Sequence, residues 1–323
     1  MATLSENPSC TATTTQCYTK LRKQEDDKSF ITKHLYSVLY LNEIPGAMDK
    51  MGWKVAAKIM RHWFDNPAWH MPANERDGYH NGHKTDPIIY AKLPPVQVEE
   101  TIIKMEWARK FSRFEEKLKE VRTIWNNHAG IDLLAKRLRR AGWRPGMSNF
   151  RLGMVGQKAS VIDNISQVNS RTFGNYWDTL DDFYGAIFKA NLHVAVVGYT
   201  SVEKASKRNI FVVTDLGYYI RDTYDFNDGK KLSDKLVDGL TGGLGIWSRD
   251  KMLSKEETAD YISTWASPIV HIYKYSGFVP VSNEDFYKWA KKHKKGGDFY
   301  VFSDVLWEKP PIRKSVITLP ENA

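Results

Sequence analysis

The chain has 323 residues and a net charge of +9, and its 42% hydrophobic and 26% charged composition is that of a globular protein of about two domains. No apolar stretch approaches the ~18 residues that span a bilayer, and Met1-Ala2-Thr3-Leu4-Ser5-Glu6-Asn7-Pro8 has neither the basic nor the apolar region of a secretory signal. The net charge favours anionic partners (nucleic acid, membrane head groups or phosphorylated substrates), and the spread of the basic residues over several segments fits a soluble basic protein better than a nucleic-acid arm.

Residues 1–29 are Thr/Ser-rich and then charged, the signature of a disordered leader. Its Cys10 and Cys17 are read as free thiols, because two cysteines near a terminus cannot staple a fold of this size. A helical domain is expected over 30–146. Within it Ala47–Phe64 has Met48, Met51, Val55, Ile59 and Trp63 at helical spacing. Residues 65–95 are rich in Pro, Gly, Asn and His and predict a long loop. His70, His80 and His83 lie in it with Asp77 and Asp86, but match no strong zinc spacing, so a solvated polar loop is the better reading. Val96–Asn127 predicts one amphipathic helix, and Ile131–Ala141 a second, basic one. Trp143-Arg144-Pro145-Gly146 reads as the interdomain break.

Residues 147–323 change in texture. Phe183–Val197, Asn209–Ile220, Pro268–Tyr275 and Asp298–Trp307 predict strands, whereas Thr258–Trp265 and Asn283–His293 predict helices. The Gly-rich run 240–245 lacks the context of a phosphate-binding loop. The fold class is therefore α+β: a helical N-terminal domain followed by a domain built on a bent antiparallel β-sheet.

The string Asp222-Thr223-Tyr224-Asp225-Phe226-Asn227 ends the second of these strands. Side-chain alternation puts Asp222 and Tyr224 on one face, and Asp225 joins them only if the chain bends, as Asn227-Asp228-Gly229 indicates. Carboxylates so placed suit a divalent metal or a protonated leaving group. On residue types alone, an Asx-turn closing a hairpin, with Tyr224 in the core, is the stronger reading.

The same string resembles the catalytic signature of the colicin M-like bacteriocins. Asn191–Tyr199 and Phe211–Arg221 resemble the strands that precede it, and Asp298–Glu308 the closing strands. The resemblance implies a Mg²⁺-dependent hydrolase of lipid II, the lipid-linked peptidoglycan precursor, cleaved between polyprenyl chain and pyrophosphate. Asp222, Tyr224 and Asp225 would be catalytic, with Asp222 and Asp225 holding the metal, and Arg221, Lys230 and Lys231 would contact phosphate. In place of the family's His-Arg pair stand Lys231 and Leu232. Either His193, Arg221, Arg249 or His271 supplies the missing role, or the chemistry has changed or been lost. Pro45–Trp53 resembles an uncharacterised family associated with type VI secretion loci, and Ala2-Thr3-Leu4-Ser5 resembles an import box. These imply a toxin made in the cytoplasm without a signal peptide, carried by a secretion spike or chaperone and acting in the target periplasm. A cognate immunity protein would accompany it. Two readings of other classes stand beside this one: a membrane-disrupting effector acting through helices 96–141, and a non-catalytic secretion adaptor.

Overall fold

The computed structural model describes residues 39–83, 86–226 and 244–320. The expected leader, the bend at 227–229, Lys230, Lys231 and most of the Gly-rich run lie outside the described residues. The first α-helices among the described residues are α1 (Ile44–Lys50) and α2 (Lys54–Asp65). Sequence periodicity makes these one helix, but Gly52 at φ +82° turns the chain between them. Helix α2 buries Ala56, Ile59, Met60, Trp63 and Phe64, an i, i+3, i+4, i+7, i+8 stripe. Its free N–H groups are capped from far away: the Asp182 carboxylate accepts from Val55 at 2.9 Å and Ala56 at 2.8 Å.

The segment 66–95 contains short 3-10 turns, in keeping with a long loop. The single helix expected over Val96–Asn127 is instead β1 (Val98–Glu99), α3 (Met105–Ala108) and α4 (Ser112–Ile124). The cause is polar. Glu99 accepts from the Thr101 and Ile102 amides at 2.5 and 2.8 Å, and Asp304 accepts from the Met105 amide at 2.6 Å, so carboxylates take up backbone donors that a continuous helix would use. Helix α5 (His128–Arg140) follows, close to its expected place, capped by Asn127.

Next come β2 (Arg151–Leu152), α6 (Ala159–Ile165), β3 (Gln167–Phe173), α7 (Asp182–Ala186), β4 (Ala190–Val202) and β5 (Asn209–Tyr224). The strand expected from Phe183 thus begins as a helical turn, capped by Asp181, which accepts from the Tyr184 amide. The C-terminal part contains β6 (Ile246–Trp247), α8 (Lys255–Ser263), α9 (Pro268–Tyr275), β7 (Val279–Pro280), α10 (Asn283–His293), β8 (Phe299–Phe302), β9 (Leu306–Glu308) and β10 (Val316–Thr318). The expected strand at Pro268–Tyr275 is helix α9. Proline at its first turn is preorganised for a helix, which here overrides the β-branched content that follows.

The protein is α+β. Strands β4 and β5 form a long antiparallel hairpin, paired from Asn191↔Arg221 to Val202↔Asn209. Along its other edge β5 meets β10, then β9, then β8, and β1 adds in parallel to β8, which makes the sheet mixed. Helices α4 and α5 pack on β3. One hydrophobic cluster runs from Ile44 through Trp143 to Leu319, so residues on both sides of 146 share it. A second, smaller cluster on the opposite face of β5 gathers Tyr90, Ile162, Tyr219 and Phe302.

Candidate functional site

The last residues of β5 divide between these two faces. Tyr218, Ile220 and Tyr224 belong with the large core, and Tyr219 with the second cluster. By the same alternation Asp222 turns toward the large core and Arg221 away from it. Asp222, Thr223, Tyr224 and Asp225 all line one cleft of about 590 Å³. Its walls are mostly apolar: Ile44 and Met48 of α1, Trp53, Leu180, Ile187, Trp247 and Phe286. Lys189 and Lys255 line it as well, as does Arg76 from the long loop.

Arg76 forms an ion pair with Asp225, and the Thr223 hydroxyl donates to the same carboxylate at 2.9 Å. Asp222 keeps some exposed surface in the cleft, yet burial pushes its pKa up to about 8. The charge of Asp225 raises it further, while a hydrogen bond from the Thr223 backbone and the Arg221 charge oppose. Asp222 therefore holds its proton to higher pH than an ordinary carboxyl and is placed to donate it. Tyr224 stacks on Phe299 at 5.4 Å, and burial raises its phenol above the ordinary range. Phe226 stacks face to face on Phe286 at 3.9 Å and meets the edge of Trp63 at 4.9 Å, which fixes the chain just after the string's carboxylates.

Beneath this stack lies Asp298, 1% exposed, which accepts from Trp63 Nε1 at 3.0 Å and from the Met71 amide at 2.9 Å. Burial raises its pKa to about 6, and the charge of Asp225 adds to the effect. Among the described residues no three His, Cys, Asp or Glu side chains gather to hold a metal. Mg²⁺ usually takes one or two carboxylates and keeps waters and substrate phosphates as its other ligands. Asp222 and Asp225 match that count, with Asp225 also engaged by Arg76 and Thr223.

The other candidates lie elsewhere. His193 and Arg221 meet, but on the second-cluster face: His193 Nδ1 is 3.3 Å from Asp163, whose carboxylate accepts from Tyr219 at 2.6 Å and lies 4.0 Å from Arg221. Neither His193 nor Arg221 is a cleft residue. Arg249 pairs with Glu43 at 3.0 Å on the surface. His271 sits 2.8 Å from the Thr264 hydroxyl, between Tyr261 and Tyr275. Of the loop histidines, His70 lies 3.7 Å from Asp298 and His80 3.5 Å from Glu75. Sequence reasoning missed Arg76 and Asp298. Arg76 stands in a loop without periodicity, where no local signal could have marked it.

These features lie within residues 39–318, which match a family of unknown function, DUF6402. The chain belongs to that family. No curated protein and no solved structure matches the chain. The cleft, its carboxylates and Arg76 thus all fall inside the DUF6402 region.

Proposed function

We propose that this DUF6402 protein is an antibacterial toxin, delivered as a type VI secretion effector, that hydrolyses lipid II at its polyprenyl–pyrophosphate linkage in the target periplasm. One observation carries the reading. Asp222, Tyr224 and Asp225 converge with a cation, Arg76, in a cleft whose remaining walls are apolar. Such a cleft suits a substrate with a charged phosphate group attached to a hydrocarbon chain. In the reaction water adds to phosphorus and the bond from phosphorus to the polyprenyl oxygen breaks. Asp222 gives its proton to that oxygen, and Asp225 takes the proton released by water. Arg76 offers the fork geometry that Lys231 lacks for the charge growing on the phosphate. Mg²⁺, held by the ionised Asp225 carboxylate together with the phosphates, would add to that charge stabilisation.

The test follows release of the polyprenyl product from purified lipid II, with Mg²⁺ and then with a chelator. Asp222→Ala and Asp225→Ala should each lower turnover by about 10²–10⁴-fold in folded protein. Expression in the periplasm, but not in the cytoplasm, should lyse a Gram-negative host, and a cognate immunity protein should suppress lysis. A wild-type protein that kills from the periplasm yet releases nothing from lipid II would end this reading.

A further inference from the structure

Arg221 adjoins the catalytic string, yet its side chain leaves the cleft. Its guanidinium is largely buried between two partners: the Asp163 carboxylate 4.0 Å away and the backbone carbonyl of Arg76, to which Nη2 donates at 3.1 Å. The ring of Tyr90 lies 5.7 Å from it. The side chain of Arg76 runs the other way, into the cleft, to Asp225. We infer that Arg221 is a positioning residue: anchored by Asp163, it holds the backbone of the long loop around residues 74–80 so that Arg76 reaches Asp225. What Arg76 does for a substrate rests on the function proposed above; the clamp itself does not.

Two independent features support the assignment. The loop has little regular structure, so side-chain anchors must hold it. Tyr300 donates to the Glu75 carbonyl at 3.1 Å, Arg221 to the next carbonyl, and Asn164 to that of Ile88 at 2.8 Å. Of these, only Arg221 brings a full charge, and it acts at the residue that enters the cleft. The second feature is Gly78, at φ +82°. A Cβ there would run into the Tyr90 hydroxyl and the Arg221 guanidinium, so the loop is shaped to close over this arginine. Asp163 then has a reason to be buried: it is the counter-charge of the clamp. Burial alone would raise its pKa, but His193, Arg221 and the Tyr219 hydroxyl hold it below the usual carboxylate range.

Segment-resolved amide hydrogen exchange on the full chain tests the clamp without reference to any substrate. Arg221→Met should speed exchange in the loop around 74–80 by about tenfold or more while the β4 strand changes by about twofold or less. Arg221→Lys should give a smaller, equally local effect, and Gly78→Ala should reproduce it with the arginine intact. Equal acceleration in loop and strand, or none in the loop, would overturn the proposal. In the lipid II assay Arg221→Met should reduce turnover in the wild-type background but add nothing to Arg76→Ala. An additive loss there would also overturn it, since Arg221 would then act independently of Arg76. If lipid II is not turned over at all, the exchange result still decides the clamp.

Discussion

Asp222→Asn perturbs the charge of the cleft while keeping its shape, because an amide is nearly isosteric with a protonated carboxyl. At about 8 instead of its ordinary 3.8, Asp222 binds its proton far more tightly in the folded chain than in the unfolded one. That difference is about 10⁴-fold, which at about 1.4 kcal/mol per factor of ten sets a ceiling of about 6 kcal/mol. The side chain keeps contact with cleft water and the surroundings relax around a charge, so about 2–3 kcal/mol is the working figure. Its sign is fixed by linkage. Between the two pKa values the unfolded chain has released a proton that the folded chain retains, so this stabilisation is complete below about pH 4 and is lost as pH rises to about 8. The amide of the Asp222→Asn variant has no such proton. Urea denaturation of both proteins at about pH 4 and about pH 9 should therefore show the wild type losing about 2–3 kcal/mol relative to the variant. Asp298, also raised by burial, titrates in both proteins and largely cancels in the difference. Parallel pH curves, within about 0.5 kcal/mol, would mean that Asp222 is an ordinary solvated carboxylate, and its role as a proton donor would fall with that result.

Arg76→Met should cost about 1–3 kcal/mol, because it takes the Arg76 cation away from the largely buried Asp225 carboxylate, and Asp225→Asn in the same chain should recover part of the loss. A thermal-denaturation cycle checks this, and strict additivity of the two changes would deny the ion pair any energetic weight. Trp63→Phe keeps most of the ring but removes the indole N–H from Asp298, so stability should fall by about 1–3 kcal/mol at neutral pH. The loss should shrink in acid, once Asp298 is protonated in both proteins; a pH-independent loss would assign the effect to ring packing alone.

Periodicity made the class of the fold legible, as well as the elements whose stability is local. Helix α10 lies at its expected residues because it carries its own capping box, Ser282 with Asp285, and a basic last turn. Strand β5 was visible because Val, Ile, Tyr and Phe fill it. The misread elements were those governed by distant groups: the break in 96–127 comes from Glu99 and Asp304, and the start of α2 is capped by Asp182. The site divided in the same way. Asp222, Tyr224 and Asp225 are neighbours in the chain and line one cleft, so a string of letters sufficed to bring them together. Arg76 joins them from a distant part of the chain, where Arg221, Tyr300 and Asn164 hold its loop. Nothing within a window around residue 76 encodes that.

The amphipathic helices illustrate the limit from the other side. An apolar stripe with charged flanks reads alike whether its apolar face meets lipid or a protein core. Here Phe114, Leu118 and Val121 of α4, with Trp125 just beyond it, are buried, and so are Leu134 and Leu138 of α5. All six lie in the same cluster as the strands that carry Asp222. Exposing that face to a bilayer would mean removing these side chains from the core, at about 1.5–3 kcal/mol each before lipid contacts offset it. Arg171 of β3 would also lose its 2.7 Å contact with Glu120 of α4, and Arg122 of α4 its bonds to Glu308 of β9. In this fold the helices back the sheet that presents the cleft, so a membrane-inserting role for them would dismantle the site that Asp222, Asp225 and Arg76 form. The hydrolase reading uses the folded protein as it stands.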